Sequence, residues 1–205
     1  MIPFYGADDP QMFAIERAAM DRDGKVIAEL DDRLPTTGRI LDVGAGNGFT
    51  AQRLATKDRS IVALEPATGM IDTDATASWV QGVAQQLPFA DNTFDGVYSS
   101  WAYFFPGYHD VTPGVLELRR VTKPGGGIVI IDNAGNDEFA AMAPHDIATD
   151  LSFWEQNGFD IDIVESAFVF ETEADAATLL RFYFGEDVTP GTRVTFNIAV
   201  ISTTA

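Results

Sequence analysis

Three glycines at every second position follow an apolar run that carries one aspartate. The run is ILDVGAGNGFT, from Ile40 to Thr50, and the glycines are Gly44, Gly46 and Gly48. Glycine has no Cβ, so it turns the chain tightly and leaves the backbone open to a ligand. A turn of this kind between a strand and a helix lies at the carboxyl end of an open α/β sheet, where ligands bind. The spacing therefore predicts a ligand held against this turn.

An acidic residue at the end of the next apolar run fits a ligand that contains a ribose. Glu65 ends IVALE, about twenty residues beyond the middle glycine, the distance at which dinucleotide folds place their ribose acceptor. The P-loop pattern GxxxxGK[ST] does not fit the turn, which excludes that kind of phosphate site. The dinucleotide pattern GxGxxG is not matched either, because the third glycine comes one residue early and Phe49 follows it. A nicotinamide-dependent oxidoreductase is kept as the alternative enzyme.

The elements around the turn alternate from residue 38 onward. Strands are predicted for RILDVGAG, SIVALEPA, SWVQGVA, FDGVYSS and GGIVIID, and helices for FTAQRLAT, TGMIDTDATA and VLELRRVTK (Val115–Lys123). The stretch Ile128–Ile131 is continuously apolar, which is typical of a parallel strand covered on both faces. KPGGG, at Lys123–Gly127, is expected to end its helix and to turn the chain into the next strand.

The end of the chain has a different pattern. IDIVESAFVF and RVTFNIAVIST both indicate strands, and the helix-like ADAATLLRFYFGED lies between them, so we expect an antiparallel edge. The fold class is therefore α/β, a Rossmann-like doubly wound, mostly parallel seven-stranded sheet with an antiparallel last strand. We predict one domain over 1–205, with a helical cover at 1–37, a cofactor-binding core at 38–132 and the substrate side and C-terminal strands at 133–205.

Composition excludes several classes of function. The chain carries 31 acidic and 13 basic residues, a net charge of −18, which repels nucleic acid phosphates. Surface solvation explains this charge, and adaptation to high salt is left open. The absence of cysteine rules out disulfides and thiolate metal sites. No apolar run reaches the length of a membrane span, and we expect a cytoplasmic protein of undetermined oligomeric state.

Four stretches, in this order, resemble the class I S-adenosylmethionine-dependent methyltransferases, in particular their small-molecule, ubiquinone-biosynthesis type (methyltransferase domain 11-like). They are ILDVGAGNG, ALEPATGMI, LPFADNTFDGVYSS and LRRVTKPGGGIVIID, and they cover about residues 38 to 132. The resemblance implies S-adenosylmethionine as the cofactor and in-line transfer of its methyl group to a small-molecule acceptor. A non-catalytic cofactor-binding module on the same fold is the second alternative.

The resemblance also implies which residues meet the cofactor. Backbone groups around Gly44, Ala45 and Gly46 would approach its methionine part, with Asp42 beneath them as an acceptor for its ammonium or for loop amides, and Glu65 would accept both ribose hydroxyls. The other implied contacts are Tyr5 as a cover, Asn47 and Gly48 in the turn, Pro66 and Met70 beside the adenine, Ala84 and Gln85 at its edge, and Ser99 and Ser100 at the methionine end. Val83 departs from the family, in which acids commonly precede LPF, so we expect Gln85 to recognise adenine with altered affinity.

Methyl transfer depends mainly on orientation, so a general base is optional. The candidates are His109, His145 and Tyr103, although His109 also fits a capping or surface position in a loop and His145 the N-terminal turn of a helix. No second histidine or cysteine stands at ligand spacing, which predicts no metal site. The aromatic run from Trp101 to Tyr108 fits either core packing or a pocket for an aromatic or lipid-like acceptor, and Phe182–Gly185 is a candidate for a further wall.

Overall fold

The computed structural model describes residues 8–72, 77–189 and 191–205. The helices are α1 (Pro10–Ala19), α2 (Lys25–Arg33), α3 (Phe49–Leu54), α4 (Thr112–Val121), α5 (Glu138–Met142), α6 (Leu151–Gln156) and α7 (Glu173–Phe184), and a 3₁₀ turn spans Thr68–Met70. The strands are β1 (Gly38–Val43), β2 (Arg59–Glu65), β3 (Ser78–Gln81), β4 (Phe94–Ser100), β5 (Thr122–Asn133), β6 (Asp160–Val169) and β7 (Arg193–Thr204).

The strands form one seven-stranded sheet in the order β3-β2-β1-β4-β5-β7-β6. The pairs among β1 to β5 are parallel, whereas β7 runs antiparallel to both β5 and β6. The predicted fold class is confirmed, including the antiparallel pair formed by the last two strands. Because β2 and β4 lie on opposite sides of β1, the strand order reverses there, and a crevice is expected at the carboxyl ends of these strands.

The core lies on both faces of this sheet. Alternate residues of β5 point to opposite faces: Val129 and Ile131 pack in one apolar cluster, and Ile128 and Ile130 pack in the other. All four are at most 1% exposed. The continuously apolar strand predicted from the sequence is therefore confirmed.

The segment Lys123–Gly127 corrects the sequence prediction. It does not turn the chain between a helix and a strand, because α4 ends at Val121 and β5 begins at Thr122. The strand pairing shifts register here, since Phe94 pairs with Thr122 and Gly96 pairs with Gly127. A Cβ at Gly126 would lie 2.5 Å from the carbonyl oxygen of Asp95, so this glycine permits a close approach within the strand.

The segment TGMIDTDATA is the second correction. Only the short 3₁₀ turn Thr68–Met70 is present, Ile71 and Asp72 follow without helix, and residues 73–76 lie outside the described part of the chain. The N-terminal stretch does contain helices, and α1 packs against α7 while α2 packs against α3 and β5. None of the helices in the described ranges combines the length and the apolar character needed to cross a membrane.

Candidate functional site

A cavity of about 500 Å³ opens at the carboxyl ends of β1, β2, β4 and β5. Its volume lies within the range of roughly 300–1,000 Å³ that is usual for ligand sites. The walls come from the glycine turn after β1, the end of β2, the loop after β4, the end of β5, and α1. The cavity therefore forms at the crevice that the strand order predicts.

The glycine turn is held against β2 by its backbone. The amides of Gly44 and Ala45 both donate to the carbonyl oxygen of Leu64, at 2.8 and 3.0 Å. A Cβ added to Gly46 (φ +56°) would make only ordinary van der Waals contact, with Met70 Cε at 3.7 Å and Phe13 Cζ at 3.8 Å, and Gly46 lines the cavity. The backbone at Gly46 is therefore accessible from the cavity.

Gly44 has an additional role that the sequence did not reveal. It has φ +79°, and a Cβ built on it would lie 2.3 Å from the Cβ of Ala102 in the loop after β4. Its missing side chain makes room for that loop. The turn and the loop are therefore packed directly against each other at the floor of the cavity.

Glu65 lines the same cavity from the end of β2. One carboxylate oxygen accepts the amide of Gly46 at 2.9 Å, and the other accepts the amide of Ala67 at 2.8 Å. Burial raises the pKa of this carboxyl, and the two backbone hydrogen bonds oppose that rise. Each oxygen keeps a second lone pair, so the carboxylate is positioned and still able to accept two hydroxyl groups.

Two predicted cofactor contacts, Asp42 and Ser99, have other partners. Asp42 does not line the cavity, since its Oδ2 accepts the hydroxyl of Tyr98 at 2.7 Å, and the turn amides bond to Leu64 instead. Ser99 donates to the carbonyl oxygen of Val43 at 2.8 Å, whereas Ser100 lines the cavity. Neighbouring residues of a strand face opposite sides, so the two serines cannot both meet one ligand.

The remaining predicted contacts divide in the same way. Asn47, Pro66, Ala84 and Gln85 line the cavity, and so does the departing residue Val83. Met70 is buried beside Gly46, and Gly48 (φ +80°) is the N-cap of α3; neither is among the lining residues. Tyr5 lies outside the described residues.

Two of the three candidate bases lie at the cavity. The rings of Tyr103 and His109 are 4.8 Å apart, and both residues line it. The Tyr103 hydroxyl donates to the carbonyl oxygen of Asp110 at 2.7 Å. His109 Nε2 lies 2.7 Å from the carbonyl oxygen of Tyr103. A carbonyl only accepts, so Nε2 carries the hydrogen and Nδ1 of the neutral ring has a free lone pair.

The predicted position of His145, in the N-terminal turn of a helix, is wrong. It does not begin a helix, because α5 ends at Met142 and α6 begins only at Leu151, and the residue is exposed on a bend between them. It is also not among the residues that line the cavity.

The aromatic run after β4 serves both of the purposes that the sequence left open. Its cavity-lining members are Trp101, Tyr103, Phe105 and Tyr108. Phe104 is instead 2% exposed and packs in the core near Trp154, with ring centroids 6.5 Å apart. From the later FYFG segment, Tyr183 lines the cavity, whereas Phe182 is exposed and is not among the lining residues.

Several lining residues were not identified from the sequence. They are Phe13, Glu16 and Arg17 of α1, its C-cap residue Met20, and Phe49, Asn133, Phe139, Ile147 and Phe168. The spacing in α1 was a usable signal, since positions three, four and seven residues apart share one helix face. The guanidinium of Arg17 lies 5.5 Å from the ring centre of Phe13 and 5.6 Å from that of Phe49, and its Nε is buried with no hydrogen-bond partner among the described residues.

The described residues contain no group of three or more histidine, aspartate or glutamate side chains placed to hold a metal ion.

Comparison with known proteins finds similarity in the central part of the chain. Residues 41–130 match the family described as "Methyltransferase domain". The chain is 39% identical over 111 residues to the biotin biosynthesis bifunctional protein BioHC of Cellvibrio japonicus, covering 48% of this chain and 21% of that protein. It is 38% identical over 96 residues to a demethylmenaquinone methyltransferase of Corynebacterium glutamicum, covering 46% and 41%. The matched region thus spans less than half the length of either relative.

Solved structures share the fold at low sequence identity. An S-adenosylmethionine-dependent methyltransferase of Thermotoga maritima superposes with a TM-score of 0.61 at 17% identity, over 98% of this chain and 96% of its own. The [4+2]-cyclase SpnF superposes with a TM-score of 0.59 at 18% identity, over 90% and 81%. The second neighbour shows that this fold also carries other chemistry, so activity has to be argued from the site.

Proposed function

We propose that this chain, whose residues 41–130 match the family described as "Methyltransferase domain", is a class I S-adenosylmethionine-dependent methyltransferase that transfers the methyl group of that cofactor to a small-molecule acceptor. The observation that carries the proposal is the position of Glu65 and the open backbone at Gly46 on one side of a cavity whose other side is aromatic. A polar cradle and an apolar chamber are thus continuous, as a two-substrate reaction requires.

The residues of the cradle fit the chemical groups of the cofactor. The Glu65 carboxylate has two lone pairs available for the ribose hydroxyls, and Pro66, Ala84 and Gln85 give an adenine ring an apolar surface and one polar edge. Ser100 and the turn around Gly46 face the space left for the methionine part. When bound, the cofactor supplies a sulfonium methyl group, which the acceptor takes with its own electron pair while the broken S–C bond leaves its electrons on sulfur.

The chamber orients the acceptor and excludes water. Rings of Trp101, Phe105 and Tyr108 form an apolar wall, which suits an aromatic or otherwise apolar molecule. His109 is our candidate for a proton acceptor, because its Nδ1 is free to accept while Nε2 is held by the Tyr103 carbonyl. Holding the two reactants in line would supply most of the rate, so loss of this histidine should reduce the rate without abolishing it.

The acceptor is proposed as a small organic molecule. One relative is named for biotin biosynthesis and another for demethylmenaquinone, and biotin and demethylmenaquinone are both small molecules. The net charge of −18 disfavours nucleic acid as the acceptor. A cysteine-free chain also suits the reducing cytoplasm, where we propose that the reaction takes place.

Calorimetric titration with S-adenosylmethionine, S-adenosylhomocysteine and NAD tests the proposal. We expect the first two to bind and NAD to stay silent. Glu65→Ala should weaken S-adenosylhomocysteine binding by about 1.5–3 kcal/mol, because it removes charge-assisted hydrogen bonds.

The matched control for this variant is Asp95→Ala. Asp95 also accepts a backbone amide, that of Arg39 at 2.8 Å, but it lies near the opposite end of the strands. Unchanged affinity in Glu65→Ala would refute the ribose assignment. Binding of NAD alone would favour the oxidoreductase, and cofactor binding without turnover over a broad acceptor panel would favour the binding module.

A further inference from the structure

We propose that the side-chain amide of Asn133 donates a hydrogen bond to an oxygen atom of the acceptor. The acceptor is accordingly an apolar or aromatic molecule that carries a carbonyl or phenolic oxygen. This inference rests on the proposed function, because it assigns the acceptor end of the same cavity.

The orientation of the Asn133 amide is fixed by a neighbour that can only donate. Trp101 Nε1 donates to Asn133 Oδ1 at 3.0 Å. An indole nitrogen has no acceptor capacity, so the amide oxygen has to face Trp101 and the NH₂ group has to face elsewhere. No residue of the described ranges accepts a hydrogen bond from Asn133 Nδ2.

The backbone holds this pair in place. Asn133 is the last residue of β5. Its backbone N–H donates to Asp132 Oδ1 at 2.8 Å, and its backbone carbonyl accepts the backbone N–H of Thr149 at 2.9 Å. Trp101 is tied to the same strand, because its amide donates to the carbonyl of Ile131 at 3.0 Å. The NH₂ group is therefore preorganised at the wall of the cavity, which Asn133 and Trp101 both line.

The surroundings determine which ligand group satisfies this donor. Ile147, Phe139 and Phe168 line the same cavity, belong to the apolar cluster against which Trp101 packs, and offer no polar side-chain atom. The hydroxyl hydrogens of Tyr103 and Tyr108 are already donated to the carbonyls of Asp110 and Asp146. A donor enclosed by a bound apolar molecule costs free energy unless that molecule provides an acceptor, and oxygen is the usual acceptor in such molecules.

Asn133→Asp isolates the donor. The variant keeps an oxygen for Trp101 Nε1 and replaces the NH₂ group with an oxygen that cannot donate. The probes are acetophenone and isopropylbenzene, which have similar shapes and differ in a carbonyl oxygen against a methyl group. Dissociation constants are measured by ligand-observed NMR, with and without saturating S-adenosylhomocysteine.

The wild-type protein should bind acetophenone at least about fivefold more tightly than isopropylbenzene, the preference expected of one net hydrogen bond. In Asn133→Asp the preference should vanish or reverse, with affinity for isopropylbenzene retained. Trp101→Phe, which removes the indole donor and lets the amide rotate, should reduce the preference. Asn92→Asp adds the same charge in an exposed turn outside the cavity and should leave the preference unchanged.

The proposal is overturned if the wild-type protein does not prefer acetophenone, or if Asn133→Asp keeps the preference. It is also overturned if Asn133→Asp loses S-adenosylhomocysteine instead, since the amide would then serve the cofactor. Failure of the wild-type protein to bind S-adenosylhomocysteine would reject the proposed function, whereas the probe preference without cofactor would still report on Asn133.

Discussion

Asp42 is a carboxyl group buried in the middle of the sheet. It is 1% exposed, Tyr98 is its hydrogen-bond partner, and its Oδ1 has none among the described residues. Burial is the main cause that raises the pKa of Asp42 from 3.8 to about 7, and the hydrogen bond from Tyr98 opposes the rise. Asp132 at the end of β5 is raised to about 7 for the same first reason. Both groups therefore resist ionisation in the folded protein.

The sign of the pH dependence follows from these raised values. The unfolded chain releases the Asp42 proton near pH 4 and the folded protein only near 7, so the free energy of unfolding falls as the pH rises between these values. Asp42→Asn removes this contribution. At pH 8 the variant should be more stable than the wild type by on the order of 2–4 kcal/mol, and the difference should disappear by about pH 4.

Urea unfolding of both proteins at pH 4, 5.5 and 8 provides the measurement. The stability of the variant should still depend on pH, but less than that of the wild type, because Asp132 remains. Parallel pH profiles for the two proteins would show that Asp42 is ionised in the fold, against the prediction.

Arg17 gives a second prediction at the scale of one residue. Its guanidinium lies at the cavity wall beside Phe49, which directly follows the glycine turn. We expect it to bind the carboxylate of the cofactor's methionine part. Arg17→Ala should then weaken S-adenosylhomocysteine binding by about tenfold or more, as for other charge-assisted hydrogen bonds.

The control for Arg17 uses the same aromatic ring. Arg53 also lies over Phe49, 3.4 Å from its centre, but does not line the cavity, so Arg53→Ala should have little effect. Binding of 5′-methylthioadenosine, which lacks the carboxylate, should be equal in wild type and Arg17→Ala. An equal loss for both ligands would mean that Arg17 only supports the shape of the cavity.

At the scale of elements, local patterns were enough to predict most strands. The run Ile128–Ile131 could be predicted as a strand covered on both faces, because four consecutive apolar residues indicate this without any information about the neighbouring strands. The segment Lys123–Gly127 could not be predicted as part of a strand, because its proline and glycines are typical of a turn. Their actual role depends on a close approach to Asp95 in β4 and Arg33 in α2, which are distant in sequence.

The candidate site shows the same division. Gly46 and Glu65 were predictable, because the turn and the end of the next strand have a fixed spacing in this topology. Arg17 and Asn133 were not, because the roles proposed for them depend on contacts between α1 and the glycine turn and between β5 and the loop after β4. Ser99 was assigned wrongly beside Ser100 because its orientation depends on the phase of β4.

The contact between the glycine turn and the loop after β4 provides a prediction about elements. Gly44→Ala introduces a Cβ 2.3 Å from that of Ala102 and also places alanine at φ +79°. The expected loss of stability is about 2–4 kcal/mol, of which roughly 1–2 comes from the backbone and the rest from overpacking. The double variant Gly44→Ala/Ala102→Gly should recover the overpacking part alone.

Gly107→Ala separates the two causes. Gly107 also has a positive φ, +94°, but no atom lies within 4 Å of its added Cβ. It should lose only the backbone part in thermal or urea unfolding. If Ala102→Gly restores nothing in the Gly44→Ala background, the two segments are not packed as described.

In the whole molecule, four strands line one cavity, and their order in the sheet differs from their order in the sequence. β1, β2, β4 and β5 contribute to it, and α1 covers it from before the first strand. The proposed cofactor side and the proposed acceptor side therefore lie at the same end of the sheet. At this end of the sheet the glycine turn and the loop after β4 pack against each other through Gly44 and Ala102.

The net charge gives the prediction for the molecule as a whole. With 31 acidic and 13 basic residues, repulsion among carboxylates opposes the compact state. Ion pairs such as Arg33 with Asp162, at 2.7 Å, stabilise the compact state, but they leave most carboxylates without a basic partner. Raising NaCl from about 0.02 to 1 M shortens the screening length from roughly 20–30 Å to 3 Å, so at pH 8 it should increase the free energy of unfolding.

Repeating the salt titration near pH 5 separates screening from general salt effects. The sequence pI is about 4.2, so the net charge is much smaller there and the stabilisation by NaCl should shrink. Equal stabilisation at both pH values would indicate that salt acts on apolar burial instead of on charge. A loss of stability with NaCl at pH 8 would mean that attractive pairs outweigh the repulsion, because screening weakens both kinds of interaction and the sign of the change reports which one dominates.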